Sequence, residues 1–158
     1  LGLFIFVATK KKIGMYEILQ ALHSYWAYFV LLLITIAVIN AFLGASKKRS
    51  FGNKDLRISL FALIFSHIQL LIGLVLYFVS PKFGWWQEGM GAVMKNSDYR
   101  LYLVEHPFTN ILAILLITVG WSLHKKQTSD TKKFSRIGVF YLLGLVFLLS
   151  RIPWDVWI

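Results

Sequence analysis

Hydrophobic positions in this chain fall into long uninterrupted runs, and the polar positions gather between them. No Asp, Glu, Lys or Arg occurs over 18–46, 58–81, 106–124 or 137–150. About 20 apolar residues in helical form cross the ~30 Å hydrocarbon core of a bilayer, whereas a barrel strand needs only about 10. Inside lipid the backbone must satisfy its own hydrogen bonds, which a single run can do only as a helix. The pattern predicts an all-α, integral membrane four-helix bundle of up-down-up-down topology, with helices near 19–45, 57–80, 103–124 and 135–154. The fourth run is short, and it spans only if Arg136 and Arg151 snorkel from its two ends.

Composition sharpens the reading. The chain is 58% hydrophobic and 15% charged, against roughly 45–50% and about 25% in a soluble domain. No separate soluble domain is expected. The formal net charge of +10 invites a nucleic-acid partner, but its distribution argues against one. Ten of the 17 basic residues lie in two short connections, Lys47, Lys48, Arg49, Lys54 and Arg57, then Lys125, Lys126, Lys132, Lys133 and Arg136. Both connections would emerge on the same side, and the positive-inside rule makes that side the cytoplasm. Both termini then face outward. Tyr25, Trp26, Tyr28, Trp85, Trp86, Trp154 and Trp157 fall toward the same outer level, where aromatic side chains anchor membrane helices.

The chain opens with an apolar stretch, Leu1 to Ala8, followed by Lys10, Lys11 and Lys12. This reverses the order of an export signal, in which charge precedes the apolar core. Met15 stands just before the first membrane helix, so residues 1–14 are expected to be an N-terminal extension upstream of a natural start at Met15. Residues 15–158 then form a single transmembrane domain. The longest connection, Pro81 to about Tyr102, contains Gly84, Gly89, Gly91, Asn96, Ser97 and Asp98, which mark turns around a short amphipathic piece at 91–95 on the membrane surface.

The polar groups within the spans are few: His23, Ser66, His67, Gln69, His106, Asn110 and, at the inner edge, His124. An ionisable side chain in the membrane marks a functional site by default. Steps of three and four from His23 meet Ala27, Val30, Ile34, Ala37, Ala41 and Gly44, and the same steps from His106 meet Asn110, Ala113, Ile117, Gly120 and His124. Small residues mark a helix face that packs against protein, so both imidazoles should point into the bundle. A third stripe joins Ser59, Ala62, Ser66, Gln69, Gly73 and Ser80, with His67 beside it. A plain packing seam accounts for the alanines and glycines and leaves the histidines unexplained.

Depth separates the histidines. At 1.5 Å per residue, His23 stands about 36 Å from Lys47, His106 about 28 Å from Lys125, and His67 only about 15 Å from Arg57. His23 and His106 share the outer level, and tilt can absorb their difference more easily than the gap to His67. Two imidazoles on diagonal helices suit the axial positions of one haem, and non-covalent bis-histidine haem b is the sharp hypothesis; with Cys 0 covalent c-type attachment, iron–sulfur clusters and thiolate zinc, which all need cysteine, are excluded. Zinc or copper on three histidines would need all three at one level, and non-haem iron would want carboxylates, of which only Glu105 is near. Glu105 and His124 are expected to be solvated end residues, and Pro107 to open its helix.

The stretches YEILQALHSYWAYFVLLL (16–33), HIQLLIGLVLYFVSP (67–81) and YRLYLVEHPFTNILAILLIT (99–118) resemble the small four-helix bacterial membrane proteins of the cytochrome B type. The pattern Gln-x-x-x-Gly followed by Tyr-Arg-Leu-x-x-x-x-His also resembles half of a haem A synthase. The resemblance covers three of the four helices. It implies a haem between His23 and His106, with Gln69 and Gly73 matching the Gln and Gly of the helix between them, and a bacterial inner membrane as the location. Where haem A synthase carries a Glu three residues before its histidine and an Arg just after, this chain has Gln20 and Ser24. Two functions remain open. One is an electron-transfer cytochrome working with a quinol or an outer-face redox protein, in which His67 meets a quinone carbonyl or haem propionate, or serves as the alternative ligand. The other is a cofactor-free accessory subunit of a larger membrane complex.

Overall fold

A computed structural model describes the backbone of residues 2–157 and the side chains of 14–155 and Trp157. Helix α1 spans Gly2–Ser46 and α2 Asn53–Val79. A 3₁₀ segment, Pro81–Glu88, leads to two short helices, α3 (Met90–Lys95) and α4 (Ser97–Arg100). A π-helical turn at Leu101–Glu105 runs into α5 (His106–His124), which is followed by α6 (Asp130–Ser150) and the single turn α7 (Trp154–Trp157). No strand occurs among the described residues.

Four stretches are long and apolar enough to cross a membrane, namely Gly14–Ser46, Asn53–Val79, Ser97–His124 and Asp130–Ser150. The chain is a multi-pass membrane protein. Residues 2–14 of the expected extension form the first turns of α1, and Leu1 and the side chains of 2–13 lie outside the described residues. The helices start earlier than the uncharged runs suggested, because polar residues cap and complete their first turns. In α2 the Asp55 carboxylate accepts the Gly52 N–H at 3.0 Å. At α6, Lys133 pairs with Asp130 across one turn at 3.0 Å. The last helix therefore ends at Ser150, ahead of Pro153, and Arg151 stands just beyond it.

Helix α1 packs against α2 and α6, and α5 against α6 and α2, which leaves α1 and α5 on one diagonal. The small-residue stripes face inward as expected: Val30, Ile34, Ala37 and Ala41 of α1, Ser59, Ala62 and Ser66 of α2, and Ala113 and Ile117 of α5 are all buried. Phe134, Ile137 and Tyr141 complete the core from α6. Outside it, Leu32, Ile39, Leu71, Phe78, Leu115 and Val146 stay exposed, the surface a lipid-facing bundle presents. Helices α5 and α6 approach each other closely at Gly144. A Cβ added at Gly144 would stand 2.7 Å from the Ile117 side chain and 3.1 Å from the Ala113 carbonyl oxygen.

One end of the bundle is tied by a polar knot. Arg49 reaches Asp55 with two N–H groups at 2.6 and 2.8 Å and donates a third bond, at 2.7 Å, to the Asn40 side-chain oxygen. Asn40 donates in turn to Asp55 at 2.9 Å. Asp55 is 2% exposed yet fully partnered, which is the condition for a carboxylate to be buried at all. His124 corrects the expectation of a solvated end residue. It is buried, its Nδ1–H donates to the Trp121 carbonyl, and its ring lies against Trp121 and Phe51. Phe51, in the connection between α1 and α2, lies over it.

The seam between α5 and α6 yields a stability prediction. Gly144→Leu should lower stability by about 1–3 kcal/mol through overpacking, read as a drop in thermal unfolding temperature in mild detergent. Leu143→Ala, at an exposed position one residue away, should leave that temperature nearly unchanged.

Candidate functional site

At the end of the bundle opposite the Arg49–Asp55 knot, α1, α2, α5 and the chain beyond α6 surround a cavity of about 200 Å³. A dozen or so waters could occupy such a volume at roughly 15 Å³ each. Its walls are mostly apolar, including Val30, Leu70, Leu74, Leu148 and Ile152, and five of its polar groups are His23, Gln69, His106, Asn110 and Lys82. His23 and His106 face each other across the diagonal with ring centroids 6.2 Å apart and ring planes at 72°. The ruler placed them about 8 Å apart in depth. The difference lies in how far α1 and α5 run beyond their shared level, since α1 continues 23 residues past His23 to Ser46 and α5 only 18 past His106 to His124.

The position of His106 is built by a local break in helical order. Residues Leu101–Glu105 form a π turn, and the His106 N–H bonds to the Leu101 carbonyl. Such turns are rare and recur at functional sites. Pro107 follows and, having no N–H, cannot bond the carbonyl four residues back. That carbonyl belongs to Leu103, which is buried, and it accepts the Tyr77 hydroxyl at 3.2 Å instead. The Tyr77 oxygen accepts the Trp86 indole N–H at 2.9 Å. Pro107 thus opens the regular part of α5 as expected, and a tyrosine from α2 and a tryptophan from the 3₁₀ segment hold the junction.

His106 is oriented through both ring nitrogens. Nδ1–H donates to the Arg151 carbonyl at 2.7 Å, which leaves the lone pair on Nε2, and Asn110 Nδ2 donates to it at 3.0 Å. Metal-binding histidines use this same tautomer, with one nitrogen tied to a carbonyl and the other presented to the metal. Arg151 is itself held, because Glu105 binds Arg100 at 2.7 Å and faces Arg151 at 3.6 Å. Glu105, expected to be a solvated charge, is therefore a clasp between the start of α5 and the end of α6.

His23 sits against α2. Gln69 Nε2 donates to the His23 carbonyl at 3.0 Å and lies 3.2 Å from its Nδ1. Gly73, one turn further along, leaves room for the ring, since a Cβ there would stand 3.0 Å from His23 Cε1. Gln69 Oε1 is buried and has no hydrogen-bond partner, the one such side-chain atom among the described residues. Of the other expected site residues, Gln69 and Gly73 line the cavity and His67 does not. His67 Nδ1–H donates to the Leu63 carbonyl at 2.8 Å, and its Nε2 lies 3.4 Å from Thr118 Oγ1, so it links α2 to α5 in the interior.

These residues can be tested against a six-coordinate haem. A metal–imidazole bond of about 2.0–2.1 Å, with roughly 1 Å more to each ring centre, places two trans rings roughly 6 Å apart centre to centre. The observed 6.2 Å agrees. Among the described residues no three His, Cys, Asp or Glu side chains converge to hold a metal on their own. Comparison with protein-family models, with well-characterised proteins and with solved structures finds no match for the chain.

The Tyr77 junction predicts a measurable cost. Tyr77→Phe leaves the Leu103 carbonyl and the Trp86 indole without their partner and should destabilise by about 1–3 kcal/mol. Tyr99→Phe, which removes a solvent-facing bond to Glu88, should cost under about 0.5 kcal/mol. Thermal unfolding of the two variants in the same detergent makes the comparison.

Proposed function

We propose that the protein is a membrane-bound b-type cytochrome that transfers electrons through one non-covalent haem held between His23 and His106. The observation that carries this reading is the pair of imidazoles 6.2 Å apart across an apolar cavity. In this reading the haem supplies one-electron redox chemistry. The chain supplies the axial nitrogens, a largely apolar shell that sets the potential, and the Arg151 carbonyl that fixes the His106 tautomer. Gln69 and Gly73 shape the wall beside His23.

The same reading orients the molecule. The four spans run up and down, both termini face outward, and the basic connections around 47–54 and 125–133 lie in the cytoplasm. The haem then sits near the outer face of a bacterial inner membrane, where a quinol or an outer-face redox protein exchanges electrons with it. A cofactor-free accessory subunit is the second reading, favoured by one observation: both ring nitrogens of His106 are already satisfied by Asn110 and Arg151.

A visible spectrum separates the two. Protein purified in mild detergent from haem-replete cells should show a b-type α band in the dithionite-reduced minus oxidised difference. Colourless, folded protein would refute the cytochrome reading. His23→Ala and His106→Ala should each abolish the low-spin spectrum at unchanged membrane levels, whereas His67→Ala should retain it. For topology, a reporter active only outside the cytoplasm should work when fused within 82–100 and fail within 47–54 and 125–133. The reverse pattern would invert the orientation.

A further inference from the structure

The cavity contains a charge that neither the fold nor the two histidines require. Among its lining residues, one carries a fixed charge, Lys82, and none is Asp or Glu. Lys82 is the second residue of the 3₁₀ segment that leaves α2, where Ser80 Oγ accepts its backbone N–H at 3.2 Å. Its ammonium stands 3.1 Å from the centre of the Tyr102 ring and 5.9 Å from that of Trp85. The side chain is half-buried, and among the described residues no carboxylate lies within ion-pairing distance. Asp98 acts on it only from further away, and burial holds the ammonium below the usual lysine range. The two arginines nearest the site, Arg100 and Arg151, are both committed to Glu105.

A partly desolvated cation lining an apolar cavity, with no ion-pair partner among the described residues, selects a ligand that is apolar in its body and anionic at one end. The aromatic faces beneath it stabilise the ammonium without neutralising it, so its charge stays available. We infer that Lys82 is the anchoring residue for a carboxylate of the cavity's ligand, which on the haem reading above is a propionate. Lys82 would then hold the acidic side of the ligand at the Pro81–Glu88 segment. Lys82 is a positioning residue here, since the axial bonds belong to the histidines.

The test compares haem with its dimethyl ester, which has the same ring and no carboxylate charge. Full-length protein purified without haem is titrated with each in detergent, and dissociation constants are read from the Soret band. The native chain should bind haem about tenfold more tightly than the ester, the scale of one charge-assisted hydrogen bond. Lys82→Gln should weaken haem by about the same factor, leave the ester unchanged, and keep the low-spin spectrum once saturated. Lys82→Arg should restore most of the preference. Equal affinity of the native chain for haem and ester, or an unchanged preference in Lys82→Gln, would overturn the Lys82 assignment while leaving the cytochrome intact. Failure of the native chain to bind either compound would overturn the haem reading and the assignment together, and needs no variant to fold.

Discussion

Lipid offers no hydrogen bonds, so every polar group between the ends of this bundle must be satisfied by the protein itself. The hydroxyls of Thr35, Ser59, Ser66, Thr109 and Thr118 bond back to carbonyls one turn earlier in their own helices. Tyr141, fully buried, donates across the core to the Ser59 carbonyl at 2.9 Å. The Asn40–Arg49–Asp55 knot closes a network around a buried carboxylate. His67, costly in this setting, is accommodated by Leu63 and Thr118. Against that background the lone unpartnered oxygen of Gln69 stands next to His23, in the same cavity that gathers the other polar groups. Buried orphan polar atoms call for a specific explanation, and here the orphan marks the site.

The same constraint explains how the site is built. A proline at the start of α5 would strand a carbonyl in the membrane, and Tyr77 and Trp86 prevent that. The π turn ends at His106, whose ring meets the Arg151 carbonyl and, one α-helical turn further on, Asn110. Glu105 holds Arg151 where its carbonyl is needed. The Tyr77–Leu103, His106–Arg151 and Glu105–Arg151 contacts join segments far apart in the chain, so the position of His106 is set by α2, α5 and the chain beyond α6 together.

What the sequence revealed and what it hid follow from the range of the interactions. Helix number and the inward faces of the first three spans were legible because 3.6-residue periodicity is local: the stripe through Ala37, Ala62 and Ala113 is buried as expected. The pairing of His23 with His106 was legible because a depth ruler needs only residue counts. The ends were less so. Helix starts were placed late because capping residues such as Asp55 are charged, and charge had been read as the boundary of the membrane. His124 was misplaced because its burial depends on Phe51 folding over it from a separate connection. The Arg151 carbonyl left no trace in the sequence, as backbone groups have no letter of their own. Tyr77 had a readable signal, because a proline inside a membrane helix implies a donor from elsewhere for the carbonyl four residues before it.

The claim that His23 and His106 are the axial pair is tested most directly by electron paramagnetic resonance of the oxidised, frozen protein. Two imidazoles bound to ferric iron give a low-spin signal, and ring planes near the observed 72° make that signal strongly anisotropic, with one large g value dominating. That spectrum is the predicted result. A high-spin ferric signal, which signifies an iron with one axial position lacking a nitrogen, would contradict it.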